Sequence, residues 1–120
     1  MTHLTVEGIF DFLRHNPQAK VLDVCSTHEH ETRTWMRSIN LIVWYAENSE
    51  INSGFIEQVS QQIARDDYVL VICHSGYRSA EAAILLEKNG FKHVYNLLGG
   101  HKELLKTRSR HINYSLTAGC

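Results

Sequence analysis

The chain has 120 residues, 43% of them hydrophobic and 21% charged, and its 12 basic against 13 acidic side chains leave a formal net charge of −1. That composition provides a core for one domain and excludes intrinsic disorder, while the balanced charge excludes a nucleic-acid binder driven by bulk positive charge. No stretch approaches the roughly 20 apolar residues that span a bilayer, so no membrane association is expected.

The first predicted element is a helix over Thr5 to His15, where Val6, Ile9, Phe10 and Leu13 recur at helical spacing and Asn16-Pro17 closes the run. Val21-Leu22-Asp23-Val24-Cys25 reads as a short strand buried on both faces. A polar stretch from Ser26 to Arg33 separates it from a β-branched and aromatic run, Ile39 to Tyr45. A helical stripe of Phe55, Val59 and Ile63 crosses Ser53 to Ala64, and Tyr68-Val69-Leu70-Val71-Ile72 is the clearest strand of all. Arg78 to Lys88 then carries Ala80, Ala83, Ile84 and Leu86 among good helix formers, and Asn89-Gly90 supplies a helix stop. Val94 to Leu97 makes a last strand. Gly99-Gly100 punctuates it, and His101 to Arg108 forms a terminal helix through Leu104 and Leu105.

Strands alternating with helices imply an α/β fold with a mainly parallel sheet covered on both faces, because each parallel step needs a crossover. With no repeat and one proline, nothing marks an internal boundary, so residues 1–120 are expected to form a single domain, with a partly ordered tail over 109–120. Cys25, Cys73 and Cys120 are an odd number at wide spacing, unlike a disulfide scaffold. Met1 to His15 carries Glu7 and Asp11 instead of a signal peptide's unbroken apolar block. A soluble, cytoplasmic protein is expected, and the Asn113-Tyr114-Ser115 sequon is a chance match.

An open parallel sheet binds ligands beyond the carboxyl ends of its strands, and the strongest strand delivers Cys73 to that edge. His74, Ser75, Gly76, Tyr77, Arg78 and Ser79 follow, leading into a helix. Backbone N–H groups of such a turn can converge on the sulfur, the helix N-terminus adds partial positive charge, and Arg78 adds a full one. Each favours thiolate over thiol. Gly76 frees the loop to close a small ring of amides around an anion. The bland alternative makes Cys73 a small buried hydrophobe. Against it, an arginine at a helix start is unfavourable unless it meets an anion. The expected product is a nucleophilic sulfur in an anion-binding cup.

Cys73-His74-Ser75-Gly76-Tyr77-Arg78-Ser79 before an Ala-rich helix resembles the active-site loop of the single-domain rhodanese-like sulfurtransferases. Val21-Leu22-Asp23-Val24 is similar to that family's early Asp-Val strand, and Asn96-Leu97-Leu98-Gly99-Gly100 to the double-glycine turn after its last strand. The resemblance covers about residues 5 to 107. It implies a rhodanese-like fold with a five-stranded mainly parallel sheet. It also implies a two-step transfer of sulfane sulfur from thiosulfate or a persulfide donor to a thiophilic acceptor, through a persulfide on Cys73. Small donors and acceptors, or the thiol of a partner protein, are the partners it implies, and it requires no metal or organic cofactor. On this reading the amides from His74 to Ser79 stabilise the persulfide, Arg78 orients the donor, and His74 and Tyr77 line the mouth.

Cysteine-dependent phosphatases and arsenate reductases are the nearest relatives in mechanism, but the phosphatase loop has five residues between Cys and Arg, and here there are four. A sulfur carrier or regulatory module fed by a partner protein needs the same Cys73 and stays the main alternative. Three positions depart from the family pattern. Cys25 replaces the arginine usual after Asp-Val, Arg37-Ser38-Ile39 stands where a Gly-His-Ile segment would, and Leu104 replaces a tryptophan. Cys25 lies at the end of a strand that family topology places beside Cys73, so it is weighed as a resolving thiol against a reduced, space-filling one. Cys25, His28 and His30 have metal-ligand types, yet no second cluster completes a site, and a solvated loop is the better reading. Trp35 and Trp44 are expected to be packing residues. Lys102, Lys106, Arg108 and Arg110 read as solvated surface, and a monomer is expected because no self-association stripe is evident.

Overall fold

A computed structural model describes residues 1–27, 29, 40–46 and 48–110, with side chains as far as residue 106. Its elements in chain order are β1 (Thr2–Leu4), α1 (Val6–His15), β2 (Lys20–Asp23), β3 (Asn40–Leu41), α2 (Phe55–Ser60), β4 (Tyr68–Ile72), α3 (Tyr77–Lys88), β5 (His93–Leu97) and α4 (Gly100–Arg110). The five strands form one sheet in the order β1-β5-β4-β2-β3, and every pair in it is parallel. This is the α/β architecture expected from the alternation of elements.

The central strand explains the layering. Successive side chains of a strand point to opposite faces, and β4 is apolar on both. Val69, Val71 and Cys73 join one core with Leu22, Cys25, Phe55, Val59, Ala83 and Leu86, under α2 and α3. Leu70 and Ile72 join the other with Val6, Ile9, Phe10 and Leu104, under α1 and α4. A strand between two such layers has no polar position, which is why the run from Val69 to Ile72 lacks alternation.

Helix α1 begins where expected because Thr5 caps it, its Oγ1 accepting from the Gly8 N–H at 3.2 Å. Three elements differ from the sequence expectation. β3 is only Asn40–Leu41, although Ile42 N and Trp44 N still donate to Asp23 O and Val24 O at 3.0 and 3.2 Å, so the expected run stays tied to β2. α2 is shorter than its stripe, which continues as turns that bury Ile63. β1 has no periodic signal. It exists through pairing with β5, in the register Thr2 to Tyr95 and Leu4 to Leu97. Trp44 packs edge-on against Phe55, with ring centroids 5.0 Å apart, as a packing residue should.

Trp35, the segment Arg37 to Ile39, His28, His30 and the tail beyond residue 110 lie outside the described residues. Among the described residues, no helix is long and apolar enough to cross a membrane.

Leu70 is fully buried in the middle of β4, whereas Ile84 on α3 is 46% exposed. Leu70→Ala is expected to lower the unfolding free energy by about 2–5 kcal/mol in urea titrations. Ile84→Ala should stay within about 0.5 kcal/mol of the parent.

Candidate active site

The sheet edge beyond β4 holds Cys73, whose side chain is fully buried at the base of the loop leading into α3. The Gly76 N–H donates to Cys73 Sγ at 3.0 Å. Gly76 takes a left-handed conformation, φ 101°, and is the N-cap of α3, so the chain turns around the sulfur and starts the helix in one step. The sulfur therefore lies near the positive end of a 12-residue helix.

A buried polar pair stands behind it. Ser79 Oγ is 3.3 Å from Cys73 Sγ and 2.5 Å from Asn96 Oδ1. A hydroxyl has one proton to give, so a charged sulfur would compete with the Asn96 carbonyl for it. Asn96 is placed by β5 and donates from Nδ2 to His3 Nδ1 on β1 at 3.1 Å. At the mouth, Ser75 is exposed, His74 is partly so, and Tyr77 is 79% exposed.

The double glycine holds the loop from below. The N–H groups of His101 and Lys102, in the first turn of α4, donate to the carbonyls of Cys73 and His74 at 2.9 and 3.0 Å. A Cβ on Gly100 would fall 2.3 Å from Cys73 O and 2.6 Å from His74 O, and φ there is 59°. Only glycine lets the helix approach that closely.

Arg78 does not aim its hydrogen bonds at Cys73. Its guanidinium grips Glu29 with two of them, Nη1 to Oε1 at 2.8 Å and Nη2 to Oε2 at 3.1 Å, and Nη2 also lies 3.9 Å from Cys25 Sγ. The Arg78 hydrogen bonds pull Glu29 down to about pH 2, against a smaller opposing effect of burial. Arg78 is held above its ordinary range, first by the same hydrogen bonds, with Cys73 a smaller electrostatic contributor. Ser26 and Glu29 exchange hydrogen bonds as a capping box, Ser26 N to Glu29 Oε1 at 3.0 Å and Glu29 N to Ser26 Oγ at 3.2 Å. An open cleft of about 790 Å³ borders Arg78, with Ser26, Thr27, Val43, Tyr45, Ala46 and Ser49 on its walls.

The arrangement is a buried thiol receiving an amide hydrogen bond, a helix N-terminus, and an arginine locked to a carboxylate across the mouth. Compared with known families, residues 10–107 match the Rhodanese-like domain. The chain belongs to that family. Over 50 residues it is 44% identical to "Thiosulfate sulfurtransferase 18" of Arabidopsis thaliana, covering 42% of this chain and 37% of that one. Over another 50-residue match it is 38% identical to the "Putative sulfur carrier protein YrkF" of Bacillus subtilis, covering 42% and 27%. Such matches span half or less of the length of these curated relatives. A rhodanese-like domain protein from Staphylococcus aureus superposes with a TM-score of 0.70 at 19% identity, over 87% of this chain and 91% of that one, which establishes the fold.

Within this rhodanese-like domain, Cys25 is a free, fully buried thiol, as is Cys73. Burial pushes the Cys25 thiol well up, and the charge and hydrogen bond of Asp23 push the same way against Arg78. A proton-bearing thiol is a poor nucleophile. The sequence reading passed over Asp23, Glu29, Asn96 and His101 as site residues. Only Glu29 had a local signal, the Ser26-x-x-Glu29 spacing of a capping box.

Two outcomes follow from these contacts. Gly100→Ala should destabilise the protein by about 1–2 kcal/mol through its left-handed backbone alone, and more through the clash. Reactivity of Cys73 toward an alkylating probe should change with it, because the carbonyls that α4 holds belong to that loop. Glu29 has a folded pKa depressed from 4.5 to about 2, so its contribution is complete above pH 4.5 and is lost as pH falls toward 2. Wild type should therefore exceed Glu29→Gln in melting temperature at pH 7, with the gap closing between pH 4.5 and 2.

Proposed function

We propose that the protein is a rhodanese-type sulfurtransferase that carries sulfane sulfur on Cys73. The observation that supports this most directly is Cys73 Sγ at the base of a Cys-x4-Arg loop, with the Gly76 N–H on it and the N-terminus of α3 beside it. In the first half-reaction the Cys73 thiolate attacks the outer sulfur of thiosulfate, the S–S bond of the donor breaks, and sulfite leaves with the electron pair. A persulfide, Cys73–S–S⁻, remains. In the second, a thiophile such as cyanide attacks the outer sulfur, thiocyanate leaves, and the Cys73 thiolate returns.

On this reading the loop amides from His74 to Ser79, of which that of Gly76 already donates to the sulfur, stabilise the new anion, and Ser79 can turn its proton from Asn96 toward sulfur. Arg78, already balanced by Glu29, steers donors at the mouth, while His74, Ser75 and Tyr77 line it. The transfer itself requires no metal or organic cofactor. Its partners are a small sulfur donor and a thiophilic acceptor, acting on a cytoplasmic monomer.

A second reading, a sulfur carrier or regulatory module fed by a partner protein's persulfide, is favoured by the similarity to the putative sulfur carrier. Intact mass separates the two. After brief exposure to thiosulfate, wild type should gain one sulfur atom that cyanide removes as thiocyanate, and Cys73→Ser should gain none. A folded, reduced wild type that gains nothing from thiosulfate would reject that donor and shift the reading to a partner-fed carrier. Turnover of a phosphate monoester comparable to sulfur transfer would overturn both.

A further inference from the structure

Directly behind the Cys73 loop, among the described residues, Asp23, Cys25 and His101 bring a carboxylate oxygen, a thiol sulfur and an imidazole nitrogen within 4.8 Å of one another. All three side chains are fully buried. Two distant segments supply them: Asp23 ends β2 and Cys25 follows two residues later, while His101 lies in the first turn of α4. The sulfur-transfer chemistry uses none of them.

We propose that these three side chains form a binding site for one Zn²⁺ ion. The ligand set is the first argument, since a thiolate, an imidazole and a carboxylate are the three protein donors that zinc takes. Spacing is the second. His101 Nε2 and Asp23 Oδ2 are 3.6 Å apart, longer than a hydrogen bond. Bonds of about 2.0–2.2 Å from zinc to nitrogen and oxygen, at a tetrahedral angle, place two such ligands about 3.4 Å apart. The carboxylate is also oriented: the Cys25 N–H donates to Asp23 Oδ1 at 2.9 Å, and Oδ2 lies 3.6 Å from His101 Nε2.

Charge is the third argument. Zn²⁺ displaces the thiol proton of Cys25, and the ion with one carboxylate, one thiolate and a neutral imidazole makes a neutral cluster, the form that burial tolerates best. Arg78 Nη2, 3.9 Å from Cys25 Sγ, is placed to donate to the bound thiolate. Arg78, which walls the open cleft, is the side chain between that cleft and the cluster's sulfur. The bound ion would tie the end of β2 to the turn of α4 whose N–H groups hold the Cys73 and His74 carbonyls.

The test uses the full chain, stripped with a chelator and then titrated with Zn²⁺ or Co²⁺. One tightly held zinc per chain is expected after gel filtration, and Co²⁺ should give a thiolate-to-metal charge-transfer band. Binding should strengthen as pH rises, because a proton leaves Cys25. Cys25→Ser and His101→Gln should each weaken binding by more than about 100-fold, the upper range for losing a group that merely supports a ligand. Cys73→Ser should bind as wild type does, and its behaviour is independent of whether Cys73 carries sulfur. Should the ligand variants fail to fold, X-ray absorption of the wild-type zinc complex decides, with one sulfur ligand expected in the zinc shell. Substoichiometric zinc, a cobalt spectrum without the thiolate band, a band that survives Cys25→Ser, or a zinc shell without sulfur would each overturn the proposal.

Discussion

Two hydrogen bonds between the first turn of α4 and the Cys73 loop hold the site in its shape. The N–H of His101 takes the carbonyl of Cys73, and the N–H of Lys102 takes that of His74. In a trans peptide the N–H points opposite to the carbonyl, so fixing those two oxygens also fixes the directions of the His74 and Ser75 amides. The loop is thus oriented from its α4 side. That approach is possible because Gly100 has no Cβ to strike the Cys73 carbonyl, and because the turn at Gly99 and Gly100 has left-handed backbone angles. The last strand, the last helix and the cysteine loop form one mechanical unit.

Charge is distributed around that unit so that its two thiols differ. Cys73 receives a backbone amide and sits at a helix N-terminus. Cys25, at the neighbouring strand end, faces the buried carboxylate of Asp23 and keeps its proton. Arg78 is locked by Glu29 into a two-point pair, and its guanidinium reaches to 3.9 Å from the Cys25 sulfur. The same residue type on adjacent strands can therefore serve different chemistry. For any thiol, surroundings rather than identity decide how reactive it is.

Much of the fold was legible because its strongest elements carry their own signals. The unbroken apolar run of β4, the stripe and Thr5 cap of α1, and the helix formers of α3 are local patterns that survive in the folded chain. β1 was not legible, because three residues without alternation become a strand only when β5 lies alongside. β3 and α2 were read as longer than they are, since β-branched and apolar residues bury as well in extended or turn backbone as in regular elements.

The sequence by itself determined the alternating α/β architecture, the Cys73-to-Ser79 loop at a strand end, and the likeness to rhodanese-like domains, because each rests on residues adjacent in the chain. Only the tertiary structure decided that Arg78 is held by Glu29, that Ser79 meets Asn96, that Gly100 admits α4 to the loop, and that His101 joins Asp23 and Cys25. Those contacts link residues from 17 to 78 positions apart, as Ser79 to Asn96 and Asp23 to His101 mark the two extremes. No local period or propensity encodes such a pairing. It arises when parallel strands bring their carboxyl ends to one edge, where side chains from separate segments must satisfy one another's charge and hydrogen bonds.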